Sequence, residues 1–382
     1  MSITKFKFVN FDTNWKVGEI IFDNFNLLVG LSGVGKTRIL QVLKTVCSVA
    51  LNQNSKLSNS EWTITVSTKK GEYIWSARTL EQENIDQSEP LFRFSFEKIL
   101  CDGKLIVDRK DGKIIFNNNL LPKLKETESC ISLLNEESSL KPLYQALELV
   151  QTTEAIDKNR PIDYFFSAFE MPKDNTFKDI EELRENHELS LIQKAFFLQE
   201  LFPEFFKRVE REYKEIFFTV TEIKIDLISK FLDESVKFNY TRLLTDNFLT
   251  IAFREQGVDD WVVLHASSSG MQRTLLHLFE LVLLPSGTVV IVDEYENSLG
   301  VNSLPALTEH LLERSGDIQF ILTSHHPYVI QNIPLHCWRI VTRSGSSVKV
   351  ENADDVKGLK SKSSQDVFMR LINSPAFEEG ID

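Results

Sequence analysis

Residues Gly30-Leu31-Ser32-Gly33-Val34-Gly35-Lys36-Thr37 place glycines, a lysine and a hydroxyl at the spacing G-x-x-x-x-G-K-T. Glycines let the backbone curl until successive N–H groups face one point, and a helix opening at Lys36 adds the positive end of its dipole. An anion with many oxygens fits such a cradle, with Lys36 reaching the outer phosphates of a nucleotide and the Thr37 hydroxyl holding Mg²⁺. Gly30, Ser32, Gly33, Gly35, Lys36 and Thr37 are therefore the candidate nucleotide-binding residues. Far along the chain, Val289-Val290-Ile291-Val292-Asp293-Glu294 is an apolar run ending in two carboxylates. After a phosphate loop this is the expected partner strand, with Asp293 completing the Mg²⁺ shell through water and Glu294 orienting or deprotonating an attacking water. The chemistry implied is hydrolysis of ATP to ADP and phosphate with Mg²⁺ as cofactor. No N-K-x-D base-reading motif occurs to favour GTP.

Two further constellations lie beside that strand. Ser267-Ser268-Ser269-Gly270-Met271-Gln272-Arg273 opens an apolar helix. Alone it reads as a helix cap, but a helix N-terminus with Ser268 and Gly270 is also a second anion site. Thr323-Ser324-His325-His326-Pro327 ends the next strand. Adjacent side chains diverge and no Cys/His cluster accompanies the two histidines, so a metal site is disfavoured.

In this order the motifs resemble those of the ABC ATPase superfamily. Its signature, written LSGGQ, precedes the acidic strand by one helix, and Ser268 and Gly270 stand in the places of its serine and second glycine. The resemblance implies that they contact a γ-phosphate bound to an opposite protomer, that His325 is the switch histidine sensing that phosphate, and that two heads sandwich ATP. His326 is then a local hydrogen-bonding or turn residue. Asp293-Glu294-Tyr295-Glu296-Asn297-Ser298-Leu299 and TSHHPYVI resemble the branch that holds SMC-like proteins, RecF and the overcoming-lysogenization-defect (OLD) ATPases. Tyr295 replaces that branch's proline, Gly300-Val301 its His-Pro, Met271 a polar residue of the signature, and no aspartate fills the D-loop. The Q-loop position has two candidates, Gln82 and Glu97. After Arg343 no buried strand ends in Asp-x-Asp, so the toprim nuclease domain of OLD proteins is not expected.

The elements that must position these residues are legible in pattern. Strands are expected at 3–11 and 19–29, then a helix from Lys36 with Ile39, Val42, Leu43, Val46 and Val49 on one face. Alternating runs over 61–79 and 91–117, divided by Lys70-Gly71, Asp102-Gly103 and Asp111-Gly112, predict an antiparallel sheet, with EQENIDQSE as a solvated loop. Helical spacing dominates 126–215, including a helix opening at Pro203 and running to about Phe217. Strands follow at 218–228 and 247–264, then a helix from Gly270 to about Leu284, the acidic strand, a helix near 303–315 and the strand DIQFILTS. The expected fold is α/β: a P-loop NTPase and, by resemblance, an ABC ATPase head with mixed sheet, antiparallel β subdomain and helical insertion. The expected division is lobe I at 1–125, the insertion at 126–230, lobe II at 231–345 and a C-terminal extension at 346–382.

Composition bounds the partners. The chain has 382 residues, 42% apolar and 26% charged, which excludes a disulfide miniprotein, a collagen or a disordered tail. Lys and Arg number 43 against 55 Asp and Glu, and the net charge of −12 repels bulk nucleic acid, so any DNA contact needs a local patch. Lys207, Arg208, Arg211 and Lys214 form one such cluster, interleaved with Glu204, Glu210, Glu212 and Glu215, and read as a solvated face. Cys47, Cys101, Cys130 and Cys337 are scattered, and the start MSITKFKFVNFD carries charge where a signal peptide would be apolar, so a cytoplasmic protein with buried thiols is expected. No run is long enough to cross a membrane. Phenylalanine occurs 28 times against 7 Tyr and 5 Trp, either as core or as an effector dock over 160–215. A stand-alone OLD-like head without a nuclease resembles the ATPase subunits of two-component bacterial anti-phage or toxin-type systems, and this resemblance implies a sensor or regulatory ATPase that dimerises around ATP and controls an effector encoded nearby. A RecF- or SMC-like DNA-repair ATPase and the nucleotide-binding subunit of a membrane transporter are the alternatives.

Overall fold

The computed structural model describes residues 1–53, 57–82, 91–152, 167–168, 177–231, 248–297, 299–300 and 302–356. The chain forms two compact units: one holds Met1–Thr152, Gly287–Tyr295 and the chain from Ser315 onward, the other Thr153–Ser286 and Glu296–Arg314. The first half of the chain contributes β1 (Ser2–Asn10), β2 (Trp15–Ile21), β3 (Phe25–Val29), α1 (Lys36–Ala50), β4 (Ser60–Thr68), β5 (Gly71–Gln82), β6 (Leu91–Cys101), β7 (Lys104–Lys110), β8 (Lys113–Phe116), β9 (Asn119–Leu120), α2 (Cys130–Leu133), α3 (Lys141–Glu148), β10 (Val150–Thr152), β11 (Ser167–Ala168) and α4 (Ile180–Glu185). Then come α5 (Leu191–Leu201), α6 (Pro203–Ile216), β12 (Val220–Leu227), β13 (Phe248–Glu255), β14 (Val262–Val263), α7 (Ser269–Leu283), β15 (Val289–Val292), α8 (Leu304–Arg314), β16 (Gln319–Thr323), α9 (Pro327–Asn332), β17 (Trp338–Ser344) and β18 (Ser347–Asn352).

The first unit is built on one long mixed sheet in the order β10-β15-β16-β3-β17-β18-β2-β1-β4-β5-β6-β7-β8-β9. From β10 to β17 neighbouring strands run parallel. Here β3, β15 and β16 are buried along their whole length, as strands covered on both faces must be, which explains the unbroken apolar runs in their sequences. From β1 to β9 the sheet is antiparallel and alternates buried with exposed positions, with Trp62 edge-on to Trp75 at 5.3 Å inside. Its hairpins turn at Asp102-Gly103 and Asp111-Gly112 as expected, whereas the turn before β5 is Lys69-Lys70 and Gly71 already opens the strand.

The expected strand at 19–29 is two strands. Asn26 accepts from the Asp23 backbone N–H at 2.9 Å and returns its amide to the Asp23 carbonyl at 2.7 Å, a local turn that breaks the run. The segment expected as a C-terminal extension also differs through Asn352, because β18 pairs with both β17 and β2 inside the main sheet and buries Val348. The expected insertion is divided too. Helices α2 and α3 and strand β10 belong with the first unit, where Leu140, Leu143 and Leu147 are buried and β10 adds a parallel edge to β15.

The second unit carries α4 to α8 and a small sheet in which β13 pairs with β11, β12 and β14. A capping box of Ser190 and Gln193 starts α5, and Pro203 sits in the first turn of α6. The buried stripe Phe206, Val209 and Tyr213 of α6 faces α7, with Phe206 5.9 Å from Phe279. Phe197 and Phe206 are thus core side chains. Much of the expected docking segment (160–166 and 169–176), the loop EQENIDQSE from residue 83 onward and the chain beyond 356 lie outside the described residues. Among the described residues no helix is long and apolar enough to cross a membrane.

Candidate functional site

The glycine loop leaves the buried end of β3 and turns into α1. Its first residue passes so close to β17 that a Cβ on Gly30 would run into the Val341 carbonyl oxygen. Gly35, at φ 104°, is the N-cap of α1 and offers no side-chain cap, and no acid stands in the first turn. The positive end of the fifteen-residue helix is thereby left to an external anion. Lys36 is buried, and its Nζ donates to the carbonyls of Gly30 at 2.7 Å and Leu31 at 2.9 Å. The ammonium therefore sits against the loop it must serve. Arg343 braces the loop by donating to the Gly33 carbonyl at 3.3 Å.

Because β15, β16 and β3 are parallel and in register, their carboxyl ends come to one edge of the sheet, where open α/β sheets bind ligands. At that edge the Thr37 Oγ1 donates to Asp293 Oδ1 at 3.1 Å. Thr323, the last residue of β16, donates from Oγ1 to the same oxygen at 2.6 Å. That hydroxyl also accepts the Glu294 backbone N–H at 2.7 Å, and the Thr323 carbonyl accepts from Tyr295 N at 2.9 Å. Glu294 has φ 49°, the left-handed region that a side-chain-bearing residue seldom enters. Asp293 and Glu294 are exposed, while Tyr295, in place of the expected proline, is fully buried, and burial pushes its phenol well above the ordinary value.

The donor set fits Mg²⁺. A threonine hydroxyl and one carboxylate are hard oxygen ligands that leave most positions to water and phosphate, as that ion prefers. No group of three or more His, Cys, Asp or Glu that could hold a metal by itself occurs among the described residues.

Of the residues expected in the site, Gly30, Ser32, Gly33, Gly35, Lys36, Thr37, Asp293, Glu294 and His325 belong to the first unit. His325 is exposed just beyond β16, and His326 caps α9 by accepting from Tyr328 N at 3.2 Å. Ser268 and Gly270 belong to the second unit. Ser268 is the N-cap of α7, accepting from Met271 N at 3.3 Å, and a Cβ on Gly270 would meet Gly300 at ordinary contact distance.

Glu97, one of the two Q-loop candidates, is engaged inside the first unit. It is fully buried, accepts from Trp75 Nε1, Ser129 Oγ and Cys130 N, and pairs with Arg109 at 3.2 Å. Its carboxylate ties α2 to the antiparallel sheet. Two of the four basic residues of the α6 cluster are held in ion pairs, Arg208 with Glu212 at 2.8 Å and Lys214 with Glu210 at 2.9 Å, while Lys207 and Arg211 are exposed. Thr323 entered the sequence pattern without a role, because a threonine ending a strand is an ordinary β residue.

A family model described as "AAA domain, putative AbiEii toxin, Type IV TA system" matches residues 139–331, just over half of the chain. The match takes in Ser268, Gly270, Asp293, Glu294 and His325, but not the glycine loop. No curated protein matches the sequence. Among solved structures, an SMC head bound to the C-winged helix domain of ScpA is 14% identical, with 92% of this chain and 97% of that chain covered and a TM-score of 0.48. The SMC head domain from Thermotoga maritima is 13% identical, with 92% and 99% covered and a TM-score of 0.40. An SMC head with an extended coiled coil, bound to the C-terminal domain of ScpA derived from Pyrococcus furiosus, is 13% identical, with 97% and 98% covered and a TM-score of 0.41. The strand order and the loop geometry themselves give the class, an α/β fold of the P-loop NTPase type.

Proposed function

The chain belongs to the AAA-domain family that this description names, and from that membership together with the site at the sheet edge we propose that it binds ATP with Mg²⁺ and hydrolyses it to ADP and phosphate. The observation that carries the reading is the approach of Thr37 Oγ1 to Asp293 Oδ1 at 3.1 Å, which joins a glycine loop near one end of the chain to an acidic strand near the other. The backbone N–H groups of the loop and Lys36 bind the phosphates. Thr37 and, through water, Asp293 would hold Mg²⁺, and the charge of the β- and γ-phosphate oxygens is lowered when that ion is bound. Glu294 orients the attacking water and accepts its proton, and His325 contacts the γ-phosphate.

The second half of the reading is an ATP-dependent dimer, in which Ser268, Gly270 and the N-terminus of α7 of one protomer face the nucleotide of the other. In the cell the protein acts in the cytoplasm as the regulatory ATPase of an OLD-like, toxin-type or anti-phage system, controlling a separately encoded effector. The family's description as a toxin–antitoxin component supports that setting. DNA is not the favoured partner, since Arg208 and Lys214 on α6 are engaged by Glu212 and Glu210.

Nucleotide binding, turnover and gel filtration test these roles together. Lys36→Ala is expected to abolish binding. Glu294→Gln is expected to bind ATP, turn over roughly 10²–10⁴-fold more slowly and accumulate as a dimer with ATP. A Gln variant that hydrolyses at the wild-type rate removes Glu294 from the mechanism.

A further inference from the structure

We propose that Thr323 is a positioning residue that sets both acidic groups of the site through a single hydroxyl; the inference rests on the ATPase reading above. The side chain is buried, with 1% of its surface exposed, so its hydroxyl has no water to turn to and its hydrogen bonds are fixed by the protein. It gives its one proton to Asp293 Oδ1 at 2.6 Å and takes the Glu294 N–H at 2.7 Å. Both are short for their kinds.

The consequences differ for the two acids. Asp293 Oδ1 receives Thr37 Oγ1 as well, so that oxygen is held between two hydroxyls, and the rotation of the carboxylate is decided at Thr323 and Thr37 together. Thr37 must give its hydroxyl to Mg²⁺ when nucleotide enters, whereas Thr323 lies behind the carboxylate in the strand and keeps its bond. Thr323 is therefore what holds Asp293 in place while the ion binds. Glu294 is held through its backbone. At φ 49° the peptide would relax toward a commoner conformation unless tied, and the ties are its N–H on the Thr323 hydroxyl and the following N–H, that of Tyr295, on the Thr323 carbonyl. One residue of β16 thus fixes the metal-side carboxylate and the backbone that aims the water-side one. Residues behind metal ligands typically change metal affinity or activity by 10–100-fold when removed.

Thr323→Val removes only the hydroxyl and keeps a β-branched side chain of nearly the same volume in a strand. The test compares the full-length wild type, Thr323→Val and Thr323→Ser for binding of a fluorescent ATP analogue, first in EDTA and then over a Mg²⁺ titration, alongside kcat and KM. The Val variant is expected to match the wild type in EDTA, because the phosphate loop is untouched. The affinity gained from Mg²⁺ is expected to shrink by roughly 10–100-fold, and kcat to fall by a similar factor with KM changing less. Thr323→Ser is expected to return both to within a few-fold of the wild type. Should Val not fold, Thr323→Ala with the same readouts takes its place. A Val or Ala variant that keeps the whole Mg²⁺-linked gain, or a Ser variant as impaired as Val, overturns the role of Thr323 while leaving the ATPase reading intact. A wild type that neither binds nucleotide nor responds to Mg²⁺ overturns both.

Discussion

At the scale of single residues the site is a set of close tolerances. Gly30 has no room for a methyl group against the Val341 carbonyl, and that carbonyl is backbone of a sheet strand with little freedom to retreat. Gly30→Ala is therefore expected to cost about 1–3 kcal/mol in denaturant unfolding, as overpacking does, and to weaken nucleotide binding by displacing the start of the loop. Glu294 offers the opposite trade. A non-glycine residue in the left-handed region costs roughly 1–2 kcal/mol, and a glycine there costs about 0.5–1 kcal/mol in lost chain freedom, so Glu294→Gly is expected to stabilise the fold slightly while abolishing turnover. A melting temperature below that of the wild type would contradict it. Most of this site is legible in the sequence, because Gly, Lys, Thr and Asp at fixed spacing have few other uses in combination. The strained φ of Glu294 and the hydroxyl of Thr323 are not legible there, since neither shows in residue type or spacing.

At the scale of elements, the sequence places α1, α6 and α7 within a residue or so: α1 and α6 each bury one stripe, and α7, buried all round from Thr274 to Leu283, is bounded by its Ser268 cap and by Pro285. Periodicity fails where a polar pair decides the outcome. The turn of Asn26 on Asp23 cuts one expected strand into two, and Glu97, at the end of an alternating run, is the anchor of α2. Its pair with Arg109 is buried on both sides. Breaking such a pair leaves a buried charge uncompensated, so Arg109→Leu is expected to lose about 3–5 kcal/mol by urea unfolding. A loss below about 1 kcal/mol would mean that the pair does not tie α2 to the sheet. Helix α7 carries a second buried polar group, His277, whose pKa is lowered to about 3, first by burial and then by the neighbouring His310. The folded chain refuses a proton that the unfolded chain accepts below the ordinary value of 6.5, so the neutral form supports the fold fully above that pH and progressively less as pH falls toward 3. Between pH 7 and 5 this amounts to about 2 kcal/mol, at ~1.4 kcal/mol per unit once below 6.5. His277→Gln is expected to flatten the pH dependence of stability over that interval, and equal slopes in the two proteins would remove His277 as its cause.

At the scale of the whole molecule, the length of 382 residues allows two or three domains in series, and the chain instead interleaves two units, the first drawing on three separate stretches of sequence. No composition count could reveal that, because it follows from which strands share a sheet. The motif order does suggest it, since residues near 36 and near 293 must meet at one nucleotide. The same order places Ser268 and Gly270 in a different unit from Lys36 and Asp293, and the proposed assembly makes this division useful: one chain supplies the phosphate loop and another the signature. Mixing two inactive proteins tests that sharing directly. Lys36→Ala has no working loop but an intact signature, and Ser268→Arg has an intact loop but blocks its signature. If the site is shared, a heterodimer of the two contains one complete loop–signature pair. Random pairing makes half of the dimers mixed, so an equimolar mixture is expected to recover up to about a quarter of the wild-type rate while each protein alone stays inactive. If each chain instead completes its own site, no mixed dimer holds a working site, and the mixture is expected to stay as inactive as its components at every ratio.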